Sequence, residues 1–364
     1  VDNFKLDFDN PMSTLYINKC KKICESPNVI KVDITDKTQL DIALKSDYDT
    51  ILLGQRCPEF YKANKKFSKT IKLNLTELFK DRVDTKRFML LQDTHPKTYG
   101  SLDTLANFIN NEKLDLIFTF YDNSESRHIR KLCNTRRFFH LPHHIDTKIF
   151  NPLNDKESKQ TKEESKESKE SKESKESKES KESKESKESK ETKEFDIILY
   201  GDIHPTHYPF RKRLFELILK EAEKYNINVL YVTPPVDISG KSKVFDPDKC
   251  ENGLAAKIRS AKYAIATKSK YDYLVAKYLE IAACETTVIG DMATDGLSLP
   301  EYSNNYIKLG SKMTDEEIMK IIVDAVRSYD SNLISKNRSN FAQHIIENYN
   351  LDKYQEKLLQ ILKQ

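Results

Sequence analysis

Residues 271 to 291 read YDYLVAKYLEIAACETTVIGD, and their reading decides the fold. Ahead of them Ala261 to Thr267 (AKYAIAT) is an apolar run of the length of a buried strand, and Lys268 to Tyr271 is a polar break. A helix is expected next. Tyr273, Lys277, Glu280 and Ile281 share one face at helical spacing, while Leu274, Ala276, Leu279, Ala282 and Ala283 give an apolar side that can pack on a sheet. Thr286 to Ile289 then reads as a second strand, closed by Gly290. Strand, helix and strand in this order make one unit of an open parallel sheet, whose ligands bind at the carboxyl ends of the strands. Asp272 stands at that mouth, and Glu280 follows across the strand-to-helix junction.

An acid, seven residues, then Glu280 within LE-x-x-A-C-x-x-x-V-I resembles the signature of the retaining nucleotide-sugar glycosyltransferases with two facing Rossmann-like domains, the group-one glycosyl transferases of GT-B architecture. FFHLPHHIDTKIFNP (138 to 152) resembles the P-x-G-V-D-x-x-x-F-x-P element that ends their first domain. FDIILYGDIHPTHYPFRKRLFELI (195 to 218) resembles the first strand, phosphate loop and first helix of their second domain; its Tyr-Pro-x-Arg-x-x-L is most similar to the spore-maturation-type branch. The tail ENYNLDKYQEKLLQILKQ resembles their closing helix, which runs back onto the first domain. Three positions depart from the pattern: Asp272 where Glu is usual, and Glu285 and His144 where Gly is usual. Glu285 falls at a helix end where a left-handed residue costs least as Gly.

The resemblance implies an α/β chain of two facing Rossmann-like domains, with residues 1–150 on the acceptor side, 151–194 a low-complexity linker, 195–340 the nucleotide-sugar domain and 341–364 the returning helix. It implies glycosyl transfer from a nucleotide-diphosphate sugar with retention, without a metal and with no cofactor beyond that co-substrate. Glu280 would bond the ribose and Asp272 would orient the sugar. Arg211 and Lys268 would offset charge on the diphosphate, and Gly201 would let backbone approach the phosphates. By its chemistry Arg211 suits phosphate, since a guanidinium bonds oxygens in pairs, although Arg211, Lys212 and Arg213 also read as a solvated helix start. The first 135 residues match weakly, so the acceptor stays open among glycan, protein and small molecule. A binder of sugar nucleotide or glycan without turnover is the alternative, and a two-domain scaffold spaced by the linker is a third reading.

Composition agrees with two domains of ordinary size. The low apolar share, 38%, comes from residues 156–194, a Lys-Glu-Ser repeat with 13 Lys and 13 Glu that cannot build a core and is expected to be solvated, disordered or partly helical. Outside it 48 basic residues face 44 acidic ones, interleaved, which argues against a nucleic-acid partner. Cys20, Cys24, Cys57, Cys133, Cys250 and Cys284 show neither a CxxC pair nor metal spacing. No run of 18 apolar residues and no signal-peptide pattern occurs, so a cytoplasmic protein without a transmembrane segment is expected. Asp246-Pro247-Asp248 fits the short D-x-D metal pattern, but follows no convincing strand.

The first domain alternates strands, at Val29 to Ile34, Thr50 to Leu53, Thr70 to Leu73, Phe88 to Gln92, Leu114 to Phe120 and Phe138 to Leu141, with helices such as Ser101 to Asn111 and Ser124 to Leu132. It has no GxGxxG, which argues against a dinucleotide enzyme. In QDTHPKTYG, after the fourth strand, Asp93 and His95 are catalytic candidates, His95 as a proton acceptor; a capped turn with a solvated His95 is the other reading. Tyr121, Asp122 and Ser124 belong to the same rim, and His143 and His144 read as a hinge between the domains.

Overall fold

The computed structural model describes residues 19, 22–29, 38, 42, 45–46, 49–53, 84–91, 101–122, 124–135, 137–152, 193–232, 247–293, 304–331 and 333–363. They form two parallel sheets flanked by helices, the expected pair of Rossmann-like units.

The first sheet is built by β1 (Thr50–Leu53), β2 (Lys86–Leu91), α1 (Leu102–Asn111), β3 (Leu116–Thr119), α2 (Ser124–Leu132) and β4 (Phe138–His140). Its four strands lie in chain order, all parallel. Successive residues of a strand point to opposite faces, so β2 feeds two cores. Met89 and Leu91 pack with Leu105 and Ile109 of α1 and Ile129 of α2, while Phe88 and Leu90 bury against the other face. Burial on both faces is why these strands read as continuous apolar runs. Residues 30–34 of the strand expected at Val29 to Ile34, the whole of the one expected at Thr70 to Leu73, and residues 156–192 of the linker repeat lie outside the described residues.

The second sheet contains β5 (Phe195–Tyr200), α3 (Pro209–Tyr225), β6 (Val229–Val232), α4 (Pro247–Arg259), β7 (Ala261–Ala266), α5 (Lys277–Ala283), β8 (Thr287–Gly290), β9 (Tyr306–Lys308) and α6 (Asp315–Arg327). Its order is β6-β5-β7-β8-β9, all parallel. The chain therefore reverses direction across the sheet at β5. The loops after β5 and β7 part to either side there and leave a crevice at the strands' carboxyl ends.

Helix α5 is shorter than the sequence pattern implies. Asp272 adopts φ +57, a left-handed conformation that cannot continue a helix, so residues 272–276 form a loop and Tyr273 belongs to it. At the other end Glu285 holds φ +52, and the closing bonds run from Glu285 N–H to the Ala282 carbonyl (3.0 Å) and from Thr286 N–H to the Ile281 carbonyl (3.2 Å). Glycine is the cheapest residue for this cap, and Glu285 costs about 1 kcal/mol there.

The carboxyl-terminal helices α7 (Leu333–Lys336), α8 (Arg338–Asn348) and α9 (Leu351–Leu362) divide between the sheets. Phe341 and Ile345 of α8 join the core of the second sheet beside Ile281 and Leu279. Asn350 interrupts the helix and caps α9 by accepting from Lys353 N–H at 2.8 Å. Tyr354, Leu358 and Ile361, spaced along one face of α9, then bury against Phe88, Leu90 and Phe118 of the first sheet. Each contributes on the order of 2 kcal/mol by removal from water. The last helix thus crosses back, and a parallel bridge between Ile145 and Asn350 ties the strap after β4 to the point of crossing. No described helix is long and apolar enough to cross a membrane.

Two glycines test this packing. A methyl on Gly290 would land on the Ala266 carbonyl of the neighbouring strand, whereas one on Gly253 in α4 meets nothing within 4 Å. We expect Gly290→Ala to cost about 3 kcal/mol and Gly253→Ala to gain about 0.5–1 kcal/mol, read from urea midpoints.

Candidate functional site

Strand β5 ends at Tyr200, and Gly201 follows at φ +93. A side chain there would be strained, and its Cβ would collide with the ammonium of Lys277. Lys277 is the first residue of α5; its Nζ donates to the Tyr200 carbonyl at 2.7 Å and lies 3.2 Å from the centre of the Tyr200 ring. Burial holds this amine well below the usual lysine range, and the neighbouring Arg211 charge pushes the same way, against the pull of Glu280 and Asp202. Glu280 lies one turn further on the same face of α5. Its removal from water raises its pKa, and Lys277 and Lys19 draw it back.

Arg211, in the first turn of α3, is 2% exposed. Its Nη1 donates to the Asp202 carbonyl and its Nη2 to the Thr267 carbonyl, both at 2.9 Å, and the guanidinium lies 4.0 Å from the centre of the Tyr208 ring. Nε is buried without a hydrogen-bond partner. The side chain therefore staples the loop after β5 to the end of β7. Around the rim, Lys268 donates from Nζ to Asp272 Oδ1 at 2.7 Å and from its main chain to Asp291 Oδ1 at 3.0 Å. Tyr278 donates its hydroxyl proton to the Asp291 carbonyl.

The structure thus gathers Gly201, Arg211, Lys268, Asp272 and Glu280 at one crevice. Asp93, His95 and Asp246 lie outside the described residues, and Pro247 begins α4. Among the described residues no three His, Cys, Asp or Glu side chains gather as metal ligands.

Three members of the crevice were not singled out from sequence. Lys277 reads as one residue of a helix face, although a lysine opening an otherwise apolar helix three residues before an acid is a signal. Asp291 follows a strand end. Lys19 arrives from far along the chain: it is 3% exposed, sits 4.5 Å from the centre of the Phe120 ring, and its Nζ lies 3.4 Å from His143 Nδ1. An ammonium only donates, so Nδ1 accepts and His143 Nε2–H is left to donate to the Tyr121 hydroxyl at 3.0 Å. Burial and the Lys19 charge hold His143 well below the usual range, which keeps it neutral. Its neighbour His144 is pushed down to about 3, chiefly by burial, with Nδ1 on the Pro142 carbonyl at 2.8 Å. Both imidazoles are therefore neutral groups buried at the junction of the strap after β4.

Asp291 carries a pH dependence. Burial pushes its carboxyl up to about 6 from the ordinary 3.8. The folded state therefore holds this proton more tightly than the unfolded chain, so the contribution is complete below about pH 4 and is lost as pH rises through 6. Asp291→Asn keeps the acceptor for Lys268; we expect it to flatten stability between pH 4 and 6 and to add about 2 kcal/mol at pH 7, measured by denaturation across that range.

No family model and no curated protein matches the chain. Solved structures do. An alpha-glucosyltransferase in complex with UDP and a 13-mer DNA containing a central A:G mismatch is similar over 100% of this chain and 98% of that one, at a TM-score of 0.54 and 9% identity. HepE from Anabaena in complex with UDP and glucose is similar over 90% of this chain and 81% of that one, at 0.53 and 10%. The same protein in complex with UDP-glucose is similar over 89% of this chain and 82% of that one, at 0.53 and 10%. The likeness is one of fold, and with the two parallel sheets and the returning helix it gives this chain the GT-B architecture.

Proposed function

We propose that the chain is a glycosyltransferase that takes a sugar from a nucleotide-diphosphate sugar and passes it, with retention and without a metal, to an acceptor in the cleft between the two sheets. The observation that carries this reading is the meeting of two buried basic side chains, Lys277 and Arg211, with Gly201 and Glu280 at the point where the second sheet reverses its order. A diphosphate suits that place. Its charge would favour the ammonium form of Lys277 against the burial that opposes it, and the amino end of α3, with no acid in its first turn, faces the same loop. Glu280 would accept from the ribose hydroxyls. Asp272, steadied by Lys268, would orient the donor sugar.

As the glycosidic bond breaks, negative charge grows on the leaving diphosphate. Fixed cations in a site of low dielectric stabilise it without reorganising, and that is the role assigned to Lys277, with Arg211 and Lys268 supporting. Asp93 and His95, which follow β2 in the chain, are assigned to the acceptor side. The similar proteins carry UDP, UDP with glucose, or UDP-glucose in their own structures, which supports the reading of a nucleotide-sugar donor.

A second reading keeps the binding and drops the turnover. It is favoured by Arg211, whose outer nitrogens are already bonded to main-chain carbonyls, and by Asp272, which is paired with Lys268.

A panel of nucleotide-diphosphate sugars separates the two, with binding followed by calorimetry and turnover by release of nucleoside diphosphate. We expect wild type to bind and slowly hydrolyse its donor, Glu280→Ala to lose most of the binding, and Lys277→Met to lower turnover by roughly 10²-fold. Binding without release from any donor would favour the second reading, and absence of binding would remove both.

A further inference from the structure

A file of aromatic rings runs beside Asp272 from the interior to the surface. Tyr121, which follows β3, stacks on Tyr273 with ring centres 4.0 Å apart. Tyr273 and Tyr271 flank Asp272 with planes within 3° and centres 6.3 Å apart. Tyr271 meets His207 at 6.3 Å, and His207 meets His204 at 5.2 Å. Exposure increases along the file: Tyr121 and Tyr273 are buried, Tyr271 and His207 half-buried, and His204 exposed.

Main-chain bonds fix the line of rings. Lys270 N–H donates to the His207 carbonyl at 2.9 Å, which stitches the loop after β7 to the loop after β5. Tyr271 N–H donates to Ser269 Oγ at 3.1 Å, and His204 N–H to Asp202 Oδ1 at 2.9 Å. Both loops open at the crevice. A ligand lying on the accessible rings would have one end beside Asp272.

We propose that Tyr271, His207 and His204 are the second domain's contribution to the acceptor subsite and that the acceptor is a carbohydrate chain. This rests on the donor reading above, which puts the transferred sugar at Asp272. A sugar ring has an apolar C–H face and a polar rim, and rings that end in a phenol oxygen or imidazole nitrogens answer both. A polyanion fits less well. In the two loops Lys268 and Lys270 are matched in number by Asp202 and Asp272; Lys268 is paired with Asp272, and Lys270 lies 5.0 Å from the centre of the Tyr271 ring. A nucleic acid would need uncompensated cations along such a track.

The chain has no tryptophan, so Tyr271→Trp keeps an aromatic face and adds one fluorescent reporter. It would be titrated, without nucleotide, with tetrasaccharides of α-linked glucose, β-linked glucose and β-linked N-acetylglucosamine, and with a single-stranded oligonucleotide. We expect one glycan to shift the emission saturably. In wild type that glycan should speed UDP release from UDP-glucose, and Tyr271→Ala should raise its KM about tenfold or more while the Kd for UDP stays within about twofold. The proposal is overturned if no glycan shifts the signal, if the oligonucleotide does so instead, or if Tyr271→Ala leaves the glycan's KM unchanged. UDP binding that is present in wild type and lost in Glu280→Ala reports on the donor reading separately, so a failed acceptor test beside that result falls on the acceptor alone.

Discussion

The site depends on one buried guanidinium. Reversal of strand order at β5 only brings two loops to the same edge of the sheet; it does not fix the distance between them. Arg211 does that, by donating to the Asp202 carbonyl on one side and the Thr267 carbonyl on the other. A charge taken out of water in this way is tolerable because both carbonyls lie where backbone partners run out at the strand ends, so the bonds satisfy acceptors that would otherwise be orphaned. Remove the staple and the loop that carries Gly201 loses its register against the loop that carries Asp272.

The second constraint follows from the first. With the loops held, the Lys277 amine lies over the Tyr200 ring, against the Tyr200 carbonyl and the bare Cα of Gly201. Two basic groups then share a space that water hardly reaches, and the pull of Glu280 on Lys277 does not make good the burial and the Arg211 charge that act against its ammonium form. Such an arrangement is poor for stability on its own account, because buried charge that is incompletely paired costs more than it returns. Perturbed groups of this kind cluster at functional sites. The arrangement makes physical sense as a place kept ready for an anion.

Much of this was legible from residues 261–291 alone. The apolar runs gave β7 and β8, and the eight-residue step from Asp272 to Glu280 placed an acid at the mouth of the sheet and another in the helix. What pattern alone did not reveal was where α5 starts, because a left-handed Asp272 leaves no mark on hydrophobic periodicity: Tyr273, Leu274, Val275 and Ala276 carry side chains that suit helix or loop equally. Lys277 was hidden for a related reason. Its depth depends on Gly201, which lies 76 positions away, and on the staple made by Arg211. Lys19, His143 and Tyr121 come together only because the first sheet meets the second, a tertiary fact beyond any local window.

The junction of the sheets also accounts for a neutral histidine at position 144, one of the positions that depart from the sequence pattern. Glycine there would leave the strap after β4 free to move. His144 instead fills the space between Tyr349 and Tyr354, with ring centres 5.7 and 5.4 Å away, so the strap is wedged at the point where α9 crosses back. His143 turns the other way, toward Tyr121, whose ring stacks on Tyr273 of the opposite loop. One dipeptide thus holds the returning helix with one ring and positions a cleft residue with the other. Movement of one sheet against the other must disturb the Tyr121–Tyr273 stack and the loop beside Asp272 together, so the two loosen in one physical event.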